Sequence, residues 1–443
     1  MALNVFSDPE VRKFLNQQHV ASTLNELERR LQSPPRYTIL RVNQIQISTE
    51  DALEKMSEAL IKNANPNDFK VSVHPKISEA IILESLKLDN DIQIPSDSKE
   101  VIVDKFCGAA VLRGANIFAV GVLGAPNHLS RNDKVAVYVD LQCKCLKGST
   151  QDFKGPKLFV GNGTSVMSRH EIFKTEKPVG VAIKMTETSS GCPSMNELEL
   201  TGNFMLQNLP SIQVGRVLAP DPGDFVLDMC AAPGGKTMHL ADLVSPSGLV
   251  FALDKSQPKI DQIVGNSLRM GAKNVRAFVM DGRKAVEPAS PGNGSDLNSN
   301  STPPFSPGSF HKVLLDAPCS ALGQRPQFVN PMGLQELHSY PKLQKQLFHS
   351  AYQLLSPKGH LVYSTCTFNV KENEEIVAWA LQTFPDLRLS PSPVILGRPG
   401  RLVSGLKPQD LAQMQRFDME SSGDCNQDTI GFFIVRFTRK PMP

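Results

Sequence analysis

The chain has 443 residues, enough for two or three domains, and its 40% hydrophobic and 21% charged residues are typical of a globular protein. No apolar run reaches the ~20 residues that a membrane-spanning helix needs, and the N-terminus lacks the segments of a signal peptide. We therefore expect a cytoplasmic protein without membrane contact. The eight cysteines lack the spacing of a zinc site, which argues against a disulfide framework and a bound metal.

Residues 1–97 predict a small α+β unit. Helical periodicity and β-rich runs alternate along this segment, with helices expected from Asp8, over 21–31 and over 49–65, and strands over 37–43 and 69–74. This alternation is typical of a packed domain and not of a tail.

Residues 98–190 predict a compact β-barrel or β-sandwich. Short β-rich runs recur between glycines, at 101–103, 109–112, 117–122, 134–139, 157–160 and 179–183. The segment carries 13 Lys/Arg against 8 Asp/Glu, whereas the whole chain has a net charge of only +3. A local basic excess suits contact with a polyanion, although a solvated basic surface explains it nearly as well.

Residues 191–443 alternate strand and helix, which predicts a doubly wound parallel sheet. Strands are expected at 225–229, 249–253, 275–280, 311–315 and 360–365, and helices at 235–244, 258–271, 341–355 and 373–384. A last β-rich run at 428–437 has no helix after it. A terminal strand of this kind is more typical of S-adenosylmethionine (SAM) methyltransferases than of dehydrogenases. Residues 288–309 are so rich in Pro, Gly, Ser, Thr and Asn that we expect a mobile loop.

The segment between the first strand and helix of this sheet has the form of a nucleotide-binding loop. It lacks both the GxGxxG of a dinucleotide fold and the complete P-loop pattern, so the loop alone leaves NAD, a phosphate or SAM open. Asp254 and Asp281 end the next two strands, where carboxylates can accept ribose hydroxyls and the adenine amino group. Each aspartate alone is more often a helix cap. Together they favour an adenosine without phosphates, lined by Cys230, Ala231, Ala232, Pro233, Gly234, Gly235, Lys236, Asp254, Asp281 and Asp316.

Two cysteines follow neighbouring central strands. Cys319 comes shortly after Asp316 and Cys366 ends the fifth strand, so both should reach the cofactor edge of the sheet. A lone strand cysteine is usually buried in a core, but two at this edge are harder to explain by packing. Carbon 5 of cytosine is too weak a nucleophile to take a methyl group until a thiolate adds to carbon 6. The thiols therefore point to pyrimidine methylation.

Several motifs carry a family resemblance. Asp228-Met-Cys-Ala-Ala-Pro-Gly-Gly-Lys-Thr237, Asp316-Ala-Pro-Cys319-Ser and Tyr363-Ser-Thr-Cys366-Thr resemble the Sun-domain family of RNA cytosine-5 methyltransferases, as do Arg41-Val-Asn43 and Leu206-Gln-Asn208. The resemblance implies that Cys366 is the nucleophile, that Cys319 assists product release, that Asp316 orients the cytosine and that Lys236 faces the active site. DNA cytosine-5 methyltransferases use the Pro-Cys cysteine as nucleophile instead, so these roles rest on the resemblance. Thr367 replaces a common serine.

Residues Gly108 to Gly114 and Gly161-Asn-Gly163 resemble a PUA domain, a small RNA-binding barrel. This resemblance makes Arg113 and Lys147 candidate RNA contacts, although an exposed arginine beside a turn glycine needs no function. A PUA-like module ahead of a Sun-type region is similar to the family members that methylate cytosine 72 of tRNA, which implies contact with the acceptor stem and 3′ end. We expect a monomer. The alternatives are an rRNA target, or a non-catalytic RNA-binding factor on a SAM-binding scaffold.

The expected architecture is thus α/β. A Rossmann-like SAM methyltransferase domain over 191–443 is joined by the α+β unit of 1–97 and an inserted PUA-like β-barrel over 98–190.

Overall fold

The fold is given by a computed structural model, which describes residues 4–18, 24–63, 66–86, 92–174, 178–193, 202–288, 297–420 and 423–440. Within these ranges no helix is long and apolar enough to cross a membrane, and no three His, Cys, Asp or Glu side chains gather as a metal site.

The N-terminal unit is an antiparallel sheet covered by one helix, with two further helices packed elsewhere. Its elements are α1 (Pro9–Gln18), α2 (Leu24–Gln32), β1 (Tyr37–Val42), α3 (Thr49–Asn63), β2 (Phe69–His74) and β3 (Ile77–Ser85). Helix α3 buries Ala52, Met56 and Leu60, which are spaced by one turn and therefore form one face against the sheet. The sequence analysis assigned no element to β3, which lies between β1 and β2.

Helices α1 and α2 do not cover this sheet. Val11, Leu15 and Leu27 form a separate core with Leu322 and with Phe368, two residues that lie shortly after central strands of the large sheet. The N-terminal helices therefore buttress the loops that carry the two candidate cysteines.

The second unit is a six-stranded sheet with two short helices. Its elements are β4 (Lys99–Val103), α4 (Lys105–Val111), β5 (Ile117–Phe118), β6 (Val122–Gly124), β7 (Lys134–Asp140), β8 (Lys157–Ser165), α5 (Arg169–Phe173) and β9 (Val181–Thr188). The strand order is β5-β9-β8-β7-β4-β6, and only the β4–β7 pair is parallel. Among the described residues the sheet encloses its own apolar core.

The prediction of a strand over 109–112 is wrong. These residues lie in and just after α4, which begins because the Asp104 carboxylate accepts a hydrogen bond from the Cys107 N–H at 2.8 Å. Gly108 is packed so closely on Val139 that a Cβ there would clash. A run of small apolar residues fits either a helix or a strand, and here the cap decides.

The third unit contains the large sheet. Its elements are β10 (Phe204–Leu206), α6 (Leu209–Leu218), β11 (Phe225–Asp228), α7 (Gly235–Leu243), β12 (Leu249–Asp254), α8 (Gln257–Met270), β13 (Val275–Val279), β14 (Phe310–Asp316), α9 (Leu334–Leu354), β15 (Leu355–Thr365), α10 (Glu374–Thr383), β16 (Leu387–Leu389), α11 (Pro408–Leu411), β17 (Met414–Phe417) and β18 (Phe432–Arg439).

The strand order of this sheet is β13-β12-β11-β14-β15-β18-β16, with β17 also paired to β18. The strands from β13 to β15 are parallel, and β18 is antiparallel to β15, which confirms the doubly wound sheet and its terminal strand. Because strand order reverses between β11 and β14, their carboxyl ends open a crevice. Successive residues of β11 pack into the cores on opposite faces of the sheet, Val226 on one face and Leu227 on the other.

The expected mobile loop over 288–309 is partly anchored. Residues 289–296 lie outside the described residues. Farther along, Phe305 is only 3% exposed and packs edge-to-face on Phe251 and Phe310. One aromatic side chain therefore fixes the C-terminal part of a segment that its polar composition marked as mobile throughout.

The first and third units share a sheet and a buried ionic contact. Strand β10 pairs with β1, so the PUA-like segment is inserted between β3 and β10. The fully buried Arg41 pairs with Asp242 at 2.8 Å. The N-terminal unit is thus held to the third unit by main-chain pairing with β10 and by an ion pair with α7.

Candidate active site

The two cysteines predicted from the sequence meet at the edge of the large sheet. Strands β14 and β15 run parallel with Asp316 opposite Ser364, so the loops that follow them leave the sheet side by side. This places Cys319 Sγ 3.4 Å from Cys366 Sγ. Both residues are half-buried.

A fixed ion pair lies beside the thiols. Lys236 Nζ contacts Asp316 Oδ2 at 2.7 Å, and the Ser364 hydroxyl donates to Asp316 Oδ1 at 2.6 Å. The ammonium group also lies 5.3 Å from the centre of the Phe432 ring. Although burial lowers the pKa of Lys236, the charge of Asp316 outweighs it and raises that pKa, so the lysine stays charged.

The environment divides the two thiols. The hydrogen bond with Cys319 lowers the pKa of Cys366, and Gln324 and the Lys236 charge act in the same direction, against burial and the Asp316 charge, which raise it. The hydrogen bond with Cys366, burial and the nearby charge of Glu372 raise the pKa of Cys319 well above its usual value. Since the thiolate is the nucleophilic form of cysteine, this electrostatic pattern favours Cys366 as the nucleophile.

The loop from β11 to α7 adds a residue that the sequence analysis did not select. Asp228, the last residue of β11, is buried, and its Oδ2 accepts a hydrogen bond from Thr237 at 2.7 Å. Its Oδ1 has no partner among the described residues, although Asp228 lines a cavity. Burial raises the pKa of Asp228 to about 7. The sequence did contain a signal for Asp228: like Asp254 and Asp281, it is an aspartate at the end of a strand, and it lies two residues before Cys230.

The other two strand-end acids already hold protein donors. Asp254 accepts from Ala232 N at 3.1 Å and forms an ion pair with Lys259 at 3.1 Å, while the Asp281 carboxylate is bound by Arg283 at 2.6 Å. Each carboxylate has further lone pairs, but neither is an unoccupied acceptor. Their candidate roles toward ribose and adenine remain predictions.

A cavity of about 360 Å³ connects the glycine-rich loop with the neighbouring units. It is lined by Cys230, Ala231, Ala232, Pro233, Gly235, Lys236, Asp228 and Asp316 on one side, and by Pro34, Tyr37, Arg113, Cys192, Arg325 and Asp428 on the other. Gly234, at φ 104°, turns the chain into α7 where a side chain would be strained. The orphaned Asp228 oxygen and the open glycine-rich turn suit a cofactor that offers donors and positive charge, as SAM does.

The two candidate RNA contacts lie in different settings. Arg113 reaches out of the PUA-like unit, donates to the carbonyl oxygen of Pro326 at 3.3 Å and lines the cavity, so it joins that unit to the candidate active site. In the described part of the chain it makes no ion pair. Lys147 lies exposed on a loop before β8 and does not line the cavity.

Comparisons with known proteins cover nearly the whole chain. Residues 215–407 match the family described as 16S rRNA methyltransferase RsmB/F, and residues 99–185 match the PUA domain. The human tRNA (cytosine(72)-C(5))-methyltransferase NSUN6 is 39% identical to this chain over 98% of it and 95% of its own length. A Pyrococcus horikoshii tRNA (cytosine(72)-C(5))-methyltransferase is 30% identical over 90% of this chain and 92% of its own.

Two solved structures are similar along their whole length. The crystal structure of NSun6 from Pyrococcus horikoshii with SFG, a SAM analogue, has a TM-score of 0.74 and 28% identity, and covers 99% of both chains. A methyltransferase homolog from the same organism has a TM-score of 0.53 at 19% identity, covering 98% of this chain and 99% of its own, which supports the fold alone.

Proposed function

The chain belongs to the RsmB/F and NSUN6 family of SAM-dependent RNA cytosine-5 methyltransferases, and we propose that it methylates cytosine 72 in the acceptor stem of tRNA. The family and the methyltransferase fold agree with the sequence analysis, and SAM is the cofactor. The observation that carries the tRNA proposal is identity along the whole chain: the human cytosine-72 enzyme is 39% identical over 98% of it, the PUA-like unit included.

One relative favours the rRNA alternative. An rRNA (cytosine-C(5))-methyltransferase NOP2C from Arabidopsis thaliana covers 98% of this chain, but at 28% identity against 39% for the human tRNA enzyme. The higher identity is the reason we place tRNA first.

The reaction needs a nucleophile, and we assign this role to Cys366. Its thiolate adds to carbon 6 of cytosine, so a C–S bond forms and the displaced electron pair makes carbon 5 nucleophilic. Bound SAM supplies the electrophilic methyl group. A base then removes the proton on carbon 5, the C–S bond breaks, and its electron pair returns to Cys366 Sγ. We assign Cys319, 3.4 Å from that sulfur, to assisting the release.

Asp316 and Lys236 position the base. The Asp316 carboxyl group is held at one oxygen by Lys236 and at the other by Ser364, so its direction is fixed before RNA arrives. We propose that it orients cytosine through its ring nitrogen 3 and amino edge. The ammonium of Lys236 keeps a positive charge next to the nucleophile.

The PUA-like unit brings the RNA. RNA is best recognised where bases are unstacked, and the target base must leave its stack to reach the thiolate. Arg113 lies where this unit meets the cavity, so a strand bound to the unit can deliver a base into it. Lys147 adds positive charge farther out. We further propose that the enzyme acts as a monomer in the cytoplasm.

The deciding experiment is bisulfite mapping of RNA incubated with the protein and SAM. Three substrates are compared: a tRNA with cytosine 72, the same tRNA with uridine 72, and an rRNA fragment. Methylation of cytosine 72, absent from the uridine variant, supports the proposal. Methylation of the rRNA fragment alone supports the alternative, and no methylation of any RNA supports the non-catalytic binding factor.

A further inference from the structure

A buried carboxylate lies behind the two thiols and has no part in the chemistry described so far. Glu372 is fully buried just before α10. Its carboxylate accepts four hydrogen bonds, from Ser320 N at 2.9 Å, Ser320 Oγ at 2.5 Å, Asn369 Nδ2 at 2.8 Å and Gln344 Nε2 at 3.0 Å.

Three of these groups are N–H donors, and the Ser320 hydroxyl can donate as well. Burial raises the pKa of Glu372, and these donors oppose that rise because they stabilise the ionised carboxylate. Among the described side chains no Lys, Arg or His forms an ion pair with it. The ionised form of Glu372 is therefore a buried negative charge stabilised by neutral donors alone.

The same donors hold the loop of Cys319. Ser320 follows this cysteine directly, and Gln344 also donates to the carbonyl of Pro318, the residue before it, at 3.0 Å. The Ser320 hydroxyl lies 2.9 Å from that of Thr367, which follows Cys366. The Glu372 network thus joins both thiol-bearing loops, and two of its four donor groups belong to Ser320, the neighbour of Cys319.

Different charged groups act on the two thiols. The Lys236 charge lowers the pKa of Cys366 and that of its partner Asp316 raises it, whereas the Glu372 charge raises the pKa of Cys319. The hydroxyl groups of Tyr340 and Tyr363 also lie near enough to interact with Cys319, and both are neutral at physiological pH because their pKa values are raised.

We propose that Glu372 is a positioning residue that decides which of the two thiols keeps the proton. Its negative charge behind Cys319 holds that thiol protonated and leaves the thiolate on Cys366. The consequence for methyl transfer rests on the function proposed above, but the proton's location is a property of the protein alone.

The test is alkylation without RNA or SAM. Iodoacetamide reacts with a thiolate, which displaces iodide and forms a thioether, and peptide mass spectrometry assigns the modified cysteine at partial reaction. In the wild-type protein Cys366 should be modified before Cys319. Glu372→Gln removes the charge with little change of shape, so we expect the Cys319 share of the product to rise at least several-fold. An unchanged ratio overturns the proposal.

Two further variants separate charge from geometry. Ser320→Ala breaks the hydroxyl contacts to Glu372 and Thr367 but leaves the charge, so the wild-type preference should persist. Glu372→Asp keeps the charge on a shorter side chain and serves also if Glu372→Gln does not fold; it too should favour Cys366. If either variant loses that preference, loop geometry decides the proton's place and the proposal is wrong. Failure of methyl transfer to tRNA would refute the proposed function and leave this result standing.

Discussion

The candidate active-site edge and the PUA-like unit use polar side chains in opposite ways. At the edge, Asp316, Lys236 and the two cysteines are at least half-buried, and hydrogen bonds fix them to the sheet. In the PUA-like unit, Arg113 and Lys147 are exposed, and Lys147 lies on a loop and not at the end of a strand. Buried, fixed groups suit bond making, whereas exposed charges suit capture of a flexible polyanion. Changes at the edge should therefore lower kcat, and changes in the PUA-like unit should raise the KM for RNA.

The largest effect is expected at the thiols. Cys366→Ala removes the nucleophile and should abolish methyl transfer, while Cys319→Ala should let the covalent adduct form but hinder its release. Denaturing gels of protein incubated with tRNA and SAM check this: a slow-migrating protein–RNA band should appear with Cys319→Ala only. The band with Cys366→Ala instead would reverse the two roles.

Lys236→Met should lower kcat by about 10²-fold with little change in the KM for tRNA. The lysine charge lowers the pKa of Cys366, so its loss raises that pKa and leaves less thiolate. The acid limb of the pH–rate profile should then move to higher pH. Lys259→Met, which removes an ion pair of Asp254 instead, is the matched control and should leave that limb in place. A changed KM at constant kcat would contradict the division between the two regions.

The active-site edge was predictable because its residues follow strands. The sequence predicted that Asp316, Cys319 and Cys366 meet at one edge, since parallel strands end at the same edge of a sheet whatever the loops do. Glu372 was not, because its partners Ser320 and Gln344 are far away in the chain and only the folded loops bring them together. Strand β3 was missed because its pairing with β1 decides it. Helix α4 was misassigned although its capping residue, Asp104, directly precedes it in the sequence.

The PUA-like unit should respond through binding. Arg113→Gln should raise the KM for tRNA by about tenfold, the loss of roughly 1.4 kcal/mol. The slope of log affinity against log salt should fall by about 0.7–1, as for one lost phosphate contact, with kcat unchanged. Lys147→Ala should change the slope in the same direction. The control is Lys154→Ala, an exposed lysine of this unit near Asp152, which should change nothing. Equal effects of all three would mean that only net charge matters.

The smallest effect is on stability and concerns the active-site edge again. Folding raises the pKa of Asp228 from 3.8 to about 7, so the folded protein favours the protonated acid. The resulting stability is present below pH 3.8 and is lost as the pH rises through about 7. Asp228→Asn keeps the Thr237 contact without the charge. Without SAM at pH 8, it should therefore raise the free energy of unfolding by at least about 1.4 kcal/mol, the equivalent of one pKa unit.

Urea denaturation of wild type and Asp228→Asn at pH 4 and pH 8 measures this difference. The variant should gain only at pH 8, and SAM should bind it more weakly, because the orphaned carboxylate oxygen no longer carries a negative charge into the cavity. An equal gain at both pH values would mean that packing, not ionisation, is responsible. A gain in stability at pH 8 alone, together with weaker SAM binding, would show that the negative charge of Asp228 destabilises the fold but helps to bind the cofactor. The exposed cations of the PUA-like unit carry no such cost in stability, because they are not buried.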